Sequence, residues 1–220
     1  MSLNSILTGI ADAIREKTGV QVSLPLDLMP VELRVVYDPI RPAVIQFIGG
    51  PVQYTTIPQG TTKIGINAYR DCTQLQQVTV PSSVLRIDAM AFHGCARLLN
   101  ITFGSGLISI GGSAFSGCRS LVSVAFPPTL ENISSSAFNY CTSLTGVNPP
   151  VSLLTVGDYA FFNTALRTIT FQKNVTSIGA QALGHCASLT DIYCYFPEGS
   201  VSGAPWGAPF AAVHYETPPP

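Results

Sequence analysis

The sequence predicts a repeat solenoid of α/β type, in which short strands and helical turns are wound coil upon coil behind a short helical N-terminal element. The first observation behind this is the period. Similar stretches begin at Val78, Ile101, Val124, Val147, Ile169 and Ile192, with steps of 23, 23, 23, 22 and 23 residues. The second is that residue types recur at fixed offsets. One column reads Ala68, Ala91, Ala114, Ala137, Ala160 and Ala182, and the next reads Tyr69, Phe92, Phe115, Phe138, Phe161 and Leu183. A cysteine column follows (Cys72, Cys95, Cys118, Cys141, Cys186), then a leucine column (Leu75, Leu98, Leu121, Leu144, Leu166, Leu189). The third is that a unit this short buries its apolar face only against its neighbours.

Four segments emerge. Residues 1–37 carry helical signals. Asn4 or Ser5 can cap a helix whose apolar face is Ile6, Leu7, Ile10, Ala13 and Ile14, and Gly19 stops it. Asp27 is placed to cap a second short helix running through Met29, Val31, Leu33 and Val36. Two helices this small cannot cover their own apolar face. They must dock on the solenoid, on a copy of themselves or on a larger assembly, which makes Ile6, Leu7, Ile10 and Ile14 the assembly candidates.

Residues 38–51 read as a linker and first strand, with Pro39 and Pro42 breaking helix and Val44–Ile48 suited to a strand. Residues 52–194 form the array. Its first coil is degenerate, with Ile57, Pro58 and Ile64 at the expected slots but Thr55 where an apolar residue belongs. Residues 195–220 leave the period and read as a C-terminal cap and tail.

One coil, Leu121 to Leu144, serves for all. Val124 and Phe126 point inward from a short strand that Pro127-Pro128 ends. Leu130 and Ile133 turn inward from a second extended piece. Ser134–Ser136 offer caps for a helical turn holding Ala137 and Phe138, and Cys141 closes the circuit. Successive coils should stack about 4.8 Å apart through strand hydrogen bonds.

Composition narrows function. Hydrophobic residues make up 46%, ample for a core, and charged residues only 10%, with net charge -1. The average soluble protein carries roughly 25% charged residues. No basic stripe is present to collect phosphates, so nucleic acid is not an expected partner. No apolar stretch approaches the roughly 20 residues of a membrane span, and Met1–Gly19, which contains Asp12 and Glu16, lacks the pattern of a secretory signal. Five cysteines fill one inward slot. The sixth, Cys194, shares the inward slot of Val80, Phe103, Phe126 and Phe171, so all six are expected to be buried thiols rather than disulfides or zinc ligands. Thr164 is small enough to fill the missing cysteine slot.

The repeat resembles the BspA-like leucine-rich repeat family, whose unit reads I-G-x-x-A-F-x-x-C-x-x-L before a short strand and a proline. The matches include Ile110-Gly111, Ala114-Phe115, Cys118 and Leu121, and Ile178-Gly179, Ala182-Leu183, Cys186 and Leu189. Asp88 and Ser134 replace the glycine, and Leu183 the phenylalanine. The resemblance implies a leucine-rich-repeat solenoid. Pro205-Trp206-Gly207-Ala208-Pro209 with His214 resembles the closing segment of such arrays. A second resemblance concerns Ile10-Ala11-Asp12-Ala13-Ile14-Arg15-Glu16-Lys17-Thr18-Gly19, followed by Met29-Pro30, which is similar to the N-terminal element of phage and prophage tail or minor structural proteins. It implies a virion protein, assembled in the bacterial cytoplasm, with an anchoring N-terminal element and an outward recognition domain. A reducing compartment agrees with unpaired thiols.

The candidate binding face is the outward side of the main sheet: Gln77, Thr79, Asn100, Thr102, Ser123, Asn148, Thr168, Thr170, Asp191 and Tyr193, a set that also serves simply to solvate the sheet. No aromatic or arginine anchor appears mid-array on that face, and carbohydrate binding would want exposed rings. Aromatics gather at the C-terminal end (Tyr193, Tyr195, Phe196, Trp206, Phe210, Tyr215), where covering the open edge is the expected role. His93 and His185 lie beside cysteines that point inward and read as loop surface. Asn100, Asn132 and Asn174 match N-x-[ST] in a sequence rich enough in Ser and Thr for chance to suffice. With no catalytic, metal or cofactor motif visible, the expected function is non-enzymatic: a phage or prophage tail structural and receptor-binding protein. It would contact other virion proteins or a host-surface protein or glycan and form a homo-oligomer through the N-terminal helix. The alternative is a bacterial cell-surface adhesin-type module.

Overall fold

The computed structural model of the protein describes residues 53–216 and, for the backbone alone, residues 33–36 and 44–47. Strands β1 (Leu33–Val36) and β2 (Val44–Phe47) pair antiparallel, Leu33 opposite Phe47 and Val36 opposite Val44. The strand expected from Val44 onward is present. The second helix through Leu33 and Val36 is not: these residues are extended. Val35-Val36 is a β-branched pair that favours strand over helix, and a paired strand satisfies its backbone groups across the hairpin. The expected helix carrying Ile6, Leu7, Ile10 and Ile14 lies outside the described residues.

The array is a parallel β-coil in which each turn from β3 to β14 contributes two strands. The main strands are β3 (Tyr54–Thr56), β5 (Gln77–Thr79), β7 (Asn100–Thr102), β9 (Ser123–Ala125), β11 (Gly146–Asn148), β13 (Thr168–Phe171), β15 (Asp191–Cys194) and β16 (Ala212–Tyr215). Between them run two-residue strands: β4 (Lys63–Ile64), β6 (Arg86–Ile87), β8 (Ser109–Ile110), β10 (Asn132–Ile133), β12 (Thr155–Val156) and β14 (Ser177–Ile178). The short strands form one continuous parallel sheet in the order β4-β6-β8-β10-β12-β14. The main strands form three hydrogen-bonded parallel blocks, β3-β5-β7, β9-β11 and β13-β15-β16, which abut at β7/β9 and β11/β13. The last block extends past residue 194, because β16 adds to β15 in register, Ile192 opposite Val213. At the end of the main strands, Pro58, Pro81, Gly104, Pro127 and Pro150 each open a turn, their carbonyls accepting from the amide three residues on.

The expected helical turns are not present; no helix occurs among the described residues. The backbone explains why. In the segment after Ser134, alternate amides are drawn to the next coil: Ser136 donates to Asp158 O (2.8 Å), Phe138 to Ala160 O (2.7 Å) and Tyr140 to Phe162 O (2.9 Å). The amides between them close three-residue turns, Ala137 to Ser134 O and Asn139 to Ser136 O. A helix needs every amide for its own i−4 carbonyl, so this ladder excludes one. Each coil also passes twice through the left-handed region, for example at Ser136 (φ 59°) and Tyr140 (φ 56°).

The columns expected to point inward do so. Phe92, Phe115, Phe138 and Phe161 are fully buried. With Tyr69 they stack face to face, at centroid separations of 5.0, 5.1, 5.2 and 5.5 Å along the column and interplanar angles of 2–7°. That spacing is close to the strand spacing of a sheet. Phe103 and Phe126 run beside this stack and meet it edge-on. The polar Thr55 of the first coil has a reason: it is the hydrogen-bond partner of the buried Tyr69 hydroxyl. Asp88, at a slot that is glycine in most coils, accepts from Arg86 (2.9 Å) and pairs with Lys63 (3.3 Å) across neighbouring short strands.

All six cysteines are buried thiols. Each of Cys95, Cys118, Cys141 and Cys186 donates to a carbonyl of the preceding coil's aromatic column, Tyr69, Phe92, Phe115 and Phe161 respectively, at 3.0–3.3 Å. Thr164, buried at the missing cysteine slot, donates to Phe161 O (3.0 Å) and lies 3.2 Å from Cys186 Sγ. The C-terminal segment closes the coil: Trp206 is buried, its indole donates to Ser202 O (2.8 Å), and it meets Phe171 and Phe196 edge-on.

Candidate functional site

The sheet face is set by strand alternation. Val78, Ile101, Val124, Ile169 and Ile192 are buried, so their neighbours on either side face out. Parallel pairing then aligns the outward residues in columns: Gln77 beside Asn100, Thr79 beside Thr102, Ala125 beside Asn148, Thr168 beside Asp191 and Thr170 beside Tyr193. Gln77, Thr79, Asn100, Thr102, Ser123, Asn148 and Thr168 are exposed, whereas Thr170, Asp191 and Tyr193 are half-buried. The expected residues are thus brought onto one surface, in three blocks.

At its C-terminal end the face acquires chemistry that the sequence did not reveal. Strand β16 places His214 beside Tyr193, with the two rings stacked at 4.7 Å. His214 Nε2 lies 2.8 Å from Asp191 Oδ1. Hydrogen bonds from His214 and then Thr190 hold the Asp191 carboxyl below its ordinary range. The missed signal was the alternation Val213, Tyr215 at the end of the irregular segment, 21 residues after Ile192, which continues the inward column.

The thiols are chemically quiet. Desolvation by burial pushes Cys141 and Cys194 up to about 12 and also raises Cys95, Cys118 and Cys186. A thiolate is the reactive form, so these groups are poor nucleophiles near neutral pH. His185 is exposed as expected; His93 is half-buried, with its Nδ1 enclosed and lacking a hydrogen-bond partner. Among the described residues no group of three His, Cys, Asp or Glu side chains converges as a metal site. Asn132 accepts from Thr155 (2.8 Å) and Asn174 donates to Val151 O (2.9 Å), so both amides serve coil-to-coil bonding.

A second surface lies on the turn side. Tyr140 and Tyr159, both exposed, and His185 surround the half-buried Phe162 ring at 6.0, 5.5 and 4.7 Å. The repeat columns do not group Phe162 with Tyr140, which lies one coil earlier and in the adjacent column. Of the C-terminal aromatics, Phe196 and Trp206 are buried, as a cap requires, whereas Phe210 is 95% exposed.

Comparison with known proteins agrees with this architecture. A leucine-rich repeat protein of T. pallidum shares 25% identity over 80% of this chain and 86% of its own, with a TM-score of 0.68. A leucine rich cell surface protein from Faecalibacterium prausnitzii A2-165 shares 24% identity over 78% of this chain, with a TM-score of 0.55; this chain spans 55% of that one. No curated protein matches the sequence. The BspA type leucine rich repeat region matches residues 62–190 in six copies, which covers more than half of the chain. With its alanine, aromatic, cysteine and leucine columns stacked in register, the chain belongs to the BspA-type leucine-rich repeat family.

Proposed function

We propose that the protein is a non-enzymatic recognition module of a phage or prophage tail, with the solenoid presenting a rigid binding surface and the N-terminal element attaching it to the particle. The observation that carries the recognition reading is the outward sheet: flat columns of Gln, Asn, Thr and Ser side chains, held in register by parallel pairing and nearly free of ions. Burying such a surface against a partner costs little charge desolvation. Extended solenoid surfaces suit binding over catalysis, and the raised thiols offer no nucleophile. The tail assignment rests on the string Ile10–Gly19.

A second reading, a bacterial cell-surface adhesin-type module, is favoured by the fold likeness to the Faecalibacterium prausnitzii cell surface protein. Light scattering on the full chain and on residues 33–220, which keep the hairpin, separates the two. An oligomer that becomes a monomer on truncation supports assembly through Ile6, Leu7, Ile10 and Ile14. Monomers in both cases remove the support for anchoring by self-association. Tail genes on either side of the coding sequence favour the virion, and a cell-wall sorting signal in a longer reading frame favours the adhesin.

A further inference from the structure

The cluster of Tyr140, Tyr159, Phe162 and His185 has a conformational signature. Every coil passes through the left-handed region immediately before its cysteine slot and again four residues earlier. At the first position the residues are Asp71, Gly94, Gly117, Tyr140, Asn163 and His185, with φ between 55° and 76°. Glycine, asparagine, aspartate and histidine tolerate this conformation best; Tyr140 does not belong to that group. At the second position Tyr159 (φ 57°) is again bulky, among Asn67, Met90, Ser113, Ser136 and Gln181. Two tyrosines are therefore held in a backbone region that disfavours them, one coil apart, against the same ring. Strain of this kind concentrates at sites of function. The fold itself is served at Tyr140 by glycine, as Gly94 and Gly117 show.

The rings are not filling the core. Tyr140 is 48% exposed and Tyr159 44%, and both stand edge-on to Phe162 at 64° and 62°. Beside Tyr159 along the chain begins a shallow groove lined with hydroxyls, Ser134, Ser135, Thr155 and Ser177, and by Asp158. Asp158 Oδ1 accepts from the Ala180 amide (2.7 Å). The groove begins at Asp158, the residue before Tyr159, and its lining mixes these hydroxyls with the Asp158 carboxylate, Ile133 and Val156; exposed rings followed by a hydroxyl-rich groove match a ligand with C–H faces and many hydroxyls. The size agrees. Three neighbouring rings within 6.0 Å of Phe162 offer far less than the roughly 800 Å² and 20–30 residues that each side of a stable protein interface uses.

We infer that this turn-side aromatic cluster is a binding site for a neutral oligosaccharide, with the Tyr140 and Tyr159 rings as stacking platforms and the adjoining hydroxyl groove taking the sugar hydroxyls. The inference deepens the recognition reading and rests on it, moving carbohydrate contact from the sheet, which lacks mid-array rings, to the turns.

The test titrates the full chain with a panel of neutral oligosaccharides of two to six glucose, galactose, mannose, N-acetylglucosamine or N-acetylgalactosamine units, read by ligand-observed NMR and tyrosine fluorescence. The expected result is saturable binding of at least one member. Tyr140→Gly and Tyr159→Ala should each weaken it at least tenfold, while Phe210→Ala, at an exposed ring outside the cluster, leaves it unchanged. The melting temperature of Tyr140→Gly should be equal to or above that of the parent, which distinguishes a lost contact from a lost fold. No binding across the panel, or binding undiminished in the Tyr140→Gly/Tyr159→Ala double variant, overturns the inference. Binding of the chain to intact cells that survives the double variant but fails on sheet-face substitution overturns this site while leaving the recognition reading in place. Cell binding that the double variant abolishes without any sugar in the panel being bound assigns the cluster to a protein partner and likewise overturns the sugar assignment.

Discussion

Phe115→Ala is the most informative single change to the fold. Phe115 is fully buried, stacked on Phe92 at 5.1 Å and on Phe138 at 5.2 Å, and met edge-on by Phe103 at 6.0 Å. Truncation removes roughly 100 Å² of buried apolar surface beyond alanine, which at about 25 cal/mol per Å² gives about 2.5 kcal/mol. The three lost aromatic contacts add about 0.5–1.5 kcal/mol each. The sum, about 4–7 kcal/mol, reaches and exceeds the upper part of the range of about 3–5 kcal/mol typical of Phe→Ala in a packed core, so a loss of at least about 3 kcal/mol is expected. Urea unfolding followed by circular dichroism measures it. Phe210→Ala is the matched control: the same substitution at a side chain 95% exposed should change stability by less than about 0.5 kcal/mol. Because each coil is stabilised by its neighbours, Phe115→Ala should also reduce cooperativity, broadening the transition as the two ends of the array uncouple. A loss under about 1 kcal/mol at Phe115 would refute the stacked-column account.

Three further outcomes follow from the geometry. The buried thiols should resist a disulfide-exchange reagent at pH 8 in the native protein and react fully in denaturant. Since unfolded thiols titrate near 8.5 and burial raises Cys141 to about 12, their contribution is complete below about pH 8.5 and is lost as pH rises toward 12; stability that is flat from pH 8 to 11 would contradict this. Asp191 runs the opposite way. Its carboxyl is lowered by His214, so its contribution is present above about pH 4 and fades as pH falls through the lowered value. His214→Ala should move the Asp191 titration upward by NMR; an unmoved titration refutes the pairing. Thr164→Val removes the donor to Phe161 O and should cost about 1 kcal/mol, whereas Thr164→Cys restores the column and should be better tolerated in the same unfolding assay.

The core of this fold was legible because a solenoid writes its packing as columns. Ala114, Phe115, Cys118 and Leu121 are each fully buried, as the offsets required, and Thr164 fills the cysteine gap with a hydroxyl that donates to Phe161 O in its own coil rather than to the preceding one. The helical turns were misread because Ser134–Ser136 are good helix caps locally, and propensity cannot see that Ser136, Phe138 and Tyr140 give their amides to the next coil. The stretch Leu33–Val36 was read by apolar spacing, whereas its pairing partner lies beyond two prolines in sequence. On the candidate face, outward orientation follows from alternation, so Asn100 and Thr102 were predictable; His214 was not, because β16 follows an irregular segment that breaks the count. The Phe162 cluster was missed for a related reason. Its members sit in adjacent columns on neighbouring coils, so no single column displays them together.

The central functional claim is that the solenoid surface recognises a cell surface. The direct measurement is flow cytometry of the fluorescently labelled full chain on a panel of intact bacterial and animal epithelial cells. The account predicts saturable binding to at least one cell type, competed by unlabelled protein and lost on substitution of exposed surface residues that leave the unfolding curve unchanged. Folded protein that binds no cell in the panel, or binds equally well after both the sheet face and the Tyr140–Tyr159 cluster are altered, would contradict it.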